Sequence, residues 1–148
     1  MRPQFGSEIK PDSVSQSETN DGNEALYGAR HAIDWDLATQ AWTTNVNAWF
    51  KARLGAGFCV QKVLHYWGTE LSQVDTQSCS RSSCTCEGYQ CSRWVLRVYY
   101  EDGRAPSYSS LPDSGCKVGD TVEIKTIDSA DSLDLDELVI IEKGKSSC

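Results

Sequence analysis

No run in the sequence approaches the roughly eighteen consecutive apolar residues of a membrane-spanning helix, which excludes an α-helical membrane protein. Positive charge is also short: 14 Lys and Arg against 21 Asp and Glu leave a formal charge of -7. No basic stripe gathers those few cations, so a phosphate backbone is repelled and nucleic acid is excluded as a partner. Histidine is limited to two residues, His31 and His65, and no GxSxG, HExxH or phosphate loop is present. The familiar hydrolytic and phosphoryl-transfer machinery is therefore missing, and the chain reads as a non-enzyme. His65 alternates with Gln61 and Val63 as a strand-face residue. No N-x-Ser/Thr sequon, internal repeat or interior low-complexity tract occurs.

Cysteine, by contrast, is plentiful. Seven in 148 residues exceed what a reducing compartment favours and point to a secreted or extracellular setting. The opening "MRPQFGSEIKPDSVSQSETNDGNE" is too polar for a signal peptide, so the expectation is a mature chain with a replaced start or a non-classical export route. The length fits one domain. Residues 1–23, rich in Ser, Asp, Asn and Glu, read as a flexible polar arm, and residues 24–148 as a single domain.

The apolar pattern of that domain is strand-like. "WFKARL" (49–54), "FCVQKVLHYW" (58–67), "WVLRVYY" (94–100), "DTVEIKTI" (120–127) and "LDELVIIE" (135–142) alternate with period two. Residues 24–32 suggest a short helical turn. "LGAGF", "YEDGRAP", "LPDSGCKVGD" and "DSADS" carry turn chemistry. These segments predict an all-β fold, an antiparallel β-sandwich. Residues 68–93 form a long polar connection, which requires stapling or a function.

"AIDWDLATQAW" (32–42) places Asp34 and Asp36 two positions apart, near Thr39. Such oxygen density suits Ca²⁺, which takes six to eight oxygen ligands, although Asp and Thr also cap turns without any ion. Glu137 is a charge in a strand that otherwise reads as core, so it requires a partner such as an ion or an Arg.

"HAIDWDLATQAWTT...AWFKARLGAGFCVQKVLHYW" and "GDTVEIKTIDSADSLDLDELVIIE" together resemble the discoidin-like, galactose-binding-type jelly rolls. That family includes coagulation-factor type C domains, F-type lectins and carbohydrate-binding modules. The resemblance covers roughly residues 25–67 and 119–142. It implies a jelly-roll sandwich with structural Ca²⁺ held by Asp34, Asp36, Thr39 and Glu137, with backbone carbonyls such as those of His31 and Asp34 completing the shell. Trp35 stands where the family has Gly, a departure at a turn that favours positive φ.

If "LGAGF" is a turn, strand bookkeeping puts residues 68–93 at the same end of the barrel as the aspartate loop, the apex. Cys79, Cys84, Cys86 and Cys91 are then apical and form two local disulfides stapling the insertion; Cys59, Cys116 and Cys148 are basal. Cys59 can reach Cys116 or Cys148, leaving one thiol free or joined to another chain. The spacing C-x4-C-x-C-x4-C also permits a four-thiolate zinc site, but it lacks C-x-x-C knuckles.

Relatives of this fold meet ligands at apical loops, and a sugar needs a stacking aromatic beside planar donors and acceptors. Tyr27, Trp67 and Tyr89 supply aromatics; Arg30, Glu70, Arg81 and Arg93 supply polar groups. "YYEDGR" (99–104) echoes part of a fucose-recognition motif, yet it falls in a basal hairpin, so that site is not carried over. "GTELSQ" lacks hydrophobic spikes, which argues against membrane insertion. Two readings follow. The first is a secreted, calcium-stabilised module binding glycans or glycoproteins; the second is an extracellular structural or signalling protein making protein contacts, as a disulfide-linked dimer through the odd Cys.

Overall fold

The computed structural model describes residues 2, 4–44, 46–67, 69–74, 94–104, 116–126 and 132–142. The chain opens with two short strands, β1 (Glu8–Ile9) and β2 (Ser13–Gln16). A helical corner follows: a 3-10 turn at Asn20–Gly22, the single-turn helix α1 (Glu24–Tyr27) and a second 3-10 turn at Ala29–Ile33. Asn23 caps α1 by accepting a hydrogen bond from the Leu26 amide. The remaining strands are β3 (Ala41–Trp42), β4 (Trp49–Trp67), β5 (Glu70–Gln73), β6 (Trp94–Tyr99), β7 (Lys117–Thr126), β8 (Asp134–Leu135) and β9 (Glu137–Glu142).

Every strand pairing is antiparallel, and β4 organises them. Its first part pairs with β2 on one side and β7 on the other, with β6 beyond β7. Its second part pairs with β9 and β5, with β1 beyond β9. One long strand therefore passes from one layer of the sandwich to the other. Phe50, Ala52 and Leu54 alternate inward from the first layer, together with Val122 and Ile124. Val63, Leu138 and Ile140 face them from the second, in one shared core. Burial of each of the Phe, Val, Leu and Ile side chains among these contributes about 1.5–3 kcal/mol.

Two expectations are corrected here. "LGAGF" is not a turn between strands but a bulge within β4: Arg53 pairs with Thr121 and Phe58 with Gly119, so five steps along β4 match two along β7. Gly55 takes φ 83° there, and Gly57 lies against the Tyr100 hydroxyl, where a Cβ would sit 2.4 Å away. The stretch expected as a loose arm instead carries β1 and β2: Glu8 and Ile9 pair with Ile141 and Ile140, and Ser13–Gln16 with residues 53–50. Their short length and mostly polar, half-buried side chains hide this from a hydrophobic pattern, because such strands are held by backbone hydrogen bonds.

The insertion also begins differently from the expectation. After Trp67 the chain turns back into β5, and the Val74 amide donates to the Val63 carbonyl at 2.8 Å. At the opposite end, Cys59 and Cys116 form a disulfide with Cα atoms 5.5 Å apart, tying the β4 bulge to the start of β7. Tyr100–Arg104 makes the expected turn at that same end, with Glu101 bonded to Arg53 at 3.0 Å. Cys79, Cys84, Cys86, Cys91 and Cys148, and with them the stapled insertion and the odd thiol, lie outside the described residues. Among the described residues, no helix is long and apolar enough to cross a membrane.

Candidate functional site

The 3-10 turn at Ala29–Ile33 delivers the chain into the aspartate loop, which is tied by its own side chains. Oδ2 of Asp34 accepts from the Thr39 hydroxyl at 2.5 Å and lies 3.1 Å from Nδ1 of His31, while Oδ1 accepts from the Asp36 amide at 3.0 Å. Oδ1 of Asp36 accepts from the Ala38 amide at 2.9 Å. His31 also reaches the Ala25 carbonyl through Nε2 at 2.7 Å. With an acceptor at each ring nitrogen the imidazolium is favoured, and the hydrogen bond to Asp34, only partly opposed by burial, raises the His31 pKa. Burial pushes Asp34 upward, but the donors Thr39, His31 and the Asp36 amide outweigh it and hold the carboxyl below its usual value.

Glu137 opens β9 opposite Tyr66 and is 0% exposed. Its Oε1 accepts from the Trp35 amide at 2.9 Å, and its Oε2 accepts from Nε of Arg2 at 2.5 Å. Arg2 is buried too and also binds the Glu8 carboxylate. The central carbon of its guanidinium lies over the Trp35 ring, 3.8 Å from the centroid. Burial pushes the Glu137 carboxyl upward, while the adjoining Arg2 guanidinium and the Trp35 amide favour the carboxylate.

The sequence expectation of Ca²⁺ at Asp34, Asp36, Thr39, Glu137 and His31 can be set against this geometry. The five residues do converge at one end of the sandwich, since Glu137 bonds the loop that carries the other four. Both carboxylate oxygens of Asp34 and of Glu137 and Oδ1 of Asp36, however, accept from internal donors, the Thr39 hydroxyl is itself a donor, and Glu137 already faces a guanidinium. Among the described residues no group of three or more His, Cys, Asp and Glu is arranged to hold a metal. As placed, this donor set does not fit the ion. Arg2 and Glu8 escaped the sequence reading because they stand in a polar stretch without periodicity. Glu137 was the available signal, as a core charge in need of a cation.

Of the proposed ligand contacts, Tyr27 and Arg30 sit together on the helical corner. Tyr27 packs edge-on against Trp42, with ring centroids 5.1 Å apart. Arg30 is exposed and makes no ion pair among the described residues. It lines a cleft of about 580 Å³ with Val14, Gln16, Glu24, Gly28 and His31. Gln16, which also lines the cleft, donates to the Thr19 hydroxyl at 3.0 Å and the Tyr27 carbonyl at 2.9 Å. Trp67 and Glu70 are register partners across the β4–β5 turn, one position beyond the pair Tyr66 and Glu137. That turn therefore shares an end with the aspartate loop. Arg81, Tyr89 and Arg93 lie outside the described residues.

The geometry has counterparts among solved structures. A Streptococcus pneumoniae fucose-binding module aligns over 96% of this chain and 100% of its own, with a TM-score of 0.65 and 16% identity. The chain has the discoidin-like, galactose-binding type of fold. Two further structures widen the range. A fucolectin from striped bass (Morone saxatilis) serum matches 90% of this chain and 47% of its own at TM-score 0.61 and 15% identity. The family 32 CBM from Clostridium perfringens NanJ, in complex with galactose, matches 92% and 98% at TM-score 0.60 and 12% identity. No family model matches the sequence, and no curated protein matches it. The galactose-binding-like fold tolerates such divergence because its core demands only apolar residues at alternating positions.

Proposed function

We propose that the chain is a secreted carbohydrate-recognition module that binds glycans or glycoproteins without chemically altering them. What carries the reading is the near-complete overlap with fucose-binding and galactose-bound modules, spanning 96% and 92% of the chain. The helical corner supports it locally. Arg30 offers a planar fork of donors, the kind of group that pairs with adjacent sugar hydroxyls, and Glu24 and Gln16 add polar groups along the same cleft. Tyr27 and Trp42 form an edge-to-face aromatic pair on the same helical corner. The Cys59–Cys116 bridge agrees with an oxidising location. No calcium is invoked, because Glu137 already has its cation.

An array of fucosylated, galactosylated and other glycans, probed in calcium and again in chelator, tests the reading. Saturable binding to a chemically related subset, equal in both conditions, is expected. Absence of binding in either condition overturns the proposal.

A further inference from the structure

Three residues far apart in the sequence meet at one buried point: Arg2 donates to Glu137, the Trp35 amide donates to the same carboxylate, and the Trp35 ring covers the guanidinium. Glu8 supplies a second carboxylate to Arg2 from β1. Glu137 is wholly buried and Arg2 nearly so, which makes this pairing a structural commitment and not a surface contact.

We infer that Arg2 is a built-in cation for this end of the sandwich, taking the place beside Glu137 that a divalent ion would need and making the aspartate loop independent of metal. A guanidinium suits the role: it is always charged, and its planar fork serves two carboxylates at once. The Trp in place of the family Gly then has a reason. Its indole lies against the guanidinium, a contact that Gly cannot make. Trp35 holds φ 64°, a conformation unfavourable for a bulky residue, while its amide donates to Glu137. The two departures, Trp35 at the turn and Arg2 at the carboxylate, form one adaptation. It also straps residues 2–9 to the loop, since Arg2 and β1 are joined through Glu8.

The test uses the whole chain, independently of any sugar. Thermal unfolding of the unaltered protein in chelator and in excess calcium is expected to give the same Tm. Terbium titration is expected to show no saturable emission sensitised by Trp35. Arg2→Ala is expected to lower Tm on the order of 10 °C, with Arg2→Lys, which keeps the charge but not the fork, between them. A Tm that falls in chelator and recovers with calcium overturns the inference, as does saturable terbium emission displaced by calcium. An Arg2→Ala protein melting with wild type also overturns it. Should Arg2→Ala fail to fold, Arg2→Lys and the metal measurements on the unaltered chain decide.

Discussion

The amide of Trp35 donates a 2.9 Å hydrogen bond to Oε1 of Glu137, 102 positions further along the chain. This bond fixes the aspartate loop to the first residue of β9, at a residue that takes positive φ. A local strain of roughly 1 kcal/mol or more is thus tied to a long-range contact.

Substitution of Trp35 should invert the usual order of Ala over Gly. Trp35→Ala keeps the φ cost and loses the ring above Arg2, so a destabilisation of about 1–2 kcal/mol is expected. Trp35→Gly loses the ring but removes the strain and should be the more stable of the two. Urea unfolding of both variants measures the difference.

His65 should weaken the fold in acid. Burial holds its pKa down at about 4, and its Nδ1 has no hydrogen-bond partner among the described residues, while the ring lies 4.7 Å from Trp94. The folded state binds this proton less readily than the unfolded chain. Its contribution is therefore complete above the unfolded value of 6.5 and is lost as pH falls toward 4, a change of about 3 kcal/mol. Because other buried groups titrate over the same range, the difference in unfolding free energy between wild type and His65→Phe, followed from pH 8 to 4, should carry this slope.

Asp134 should act in the opposite sense. Burial first, and Asp136 second, raise its pKa to about 7, and Oδ1 has no hydrogen-bond partner among the described residues. Here the folded state holds the proton more tightly, so the neutral form is favoured and stability falls as pH rises from about 4 to about 7. Asp134→Asn should be more stable than wild type above pH 7 by a few kcal/mol, and no more stable below pH 4. Denaturation at two pH values checks this.

The basal disulfide closes a separation of 57 residues. Cys59→Ser with Cys116→Ser should cost on the order of 4 kcal/mol by loop-closure entropy, seen as an earlier denaturant midpoint.

The strands were legible where one face is buried. Phe50, Ala52 and Leu54 alternate inward as "WFKARL" predicts, and the pattern of β7 and β9 is equally plain. Gly55 and Gly57 misled because glycine marks turns and bulges alike, and only the register with β7 separates them. Ser13–Gln16 was unreadable as a strand, since its side chains remain largely outside the core.

The candidate site was half legible. Glu137 announced that it needed a cation or an Arg, and the cluster of Asp34, Asp36 and Thr39 announced a tight loop. Nothing local tied Arg2 to either, because a single Arg in a polar stretch looks the same whether it is solvated or buried 135 positions away against a carboxylate.

Sugar recognition at the helical corner is tested most directly by titrating a glycan captured on the array into wild type and Arg30→Ala, with Tm measured in parallel. Saturable binding by wild type is predicted, weakened tenfold or more in Arg30→Ala, about 1.4 kcal/mol, with Tm unchanged. Equal affinity in the two proteins would contradict the assignment of this cleft, and no binding by wild type would contradict carbohydrate recognition itself.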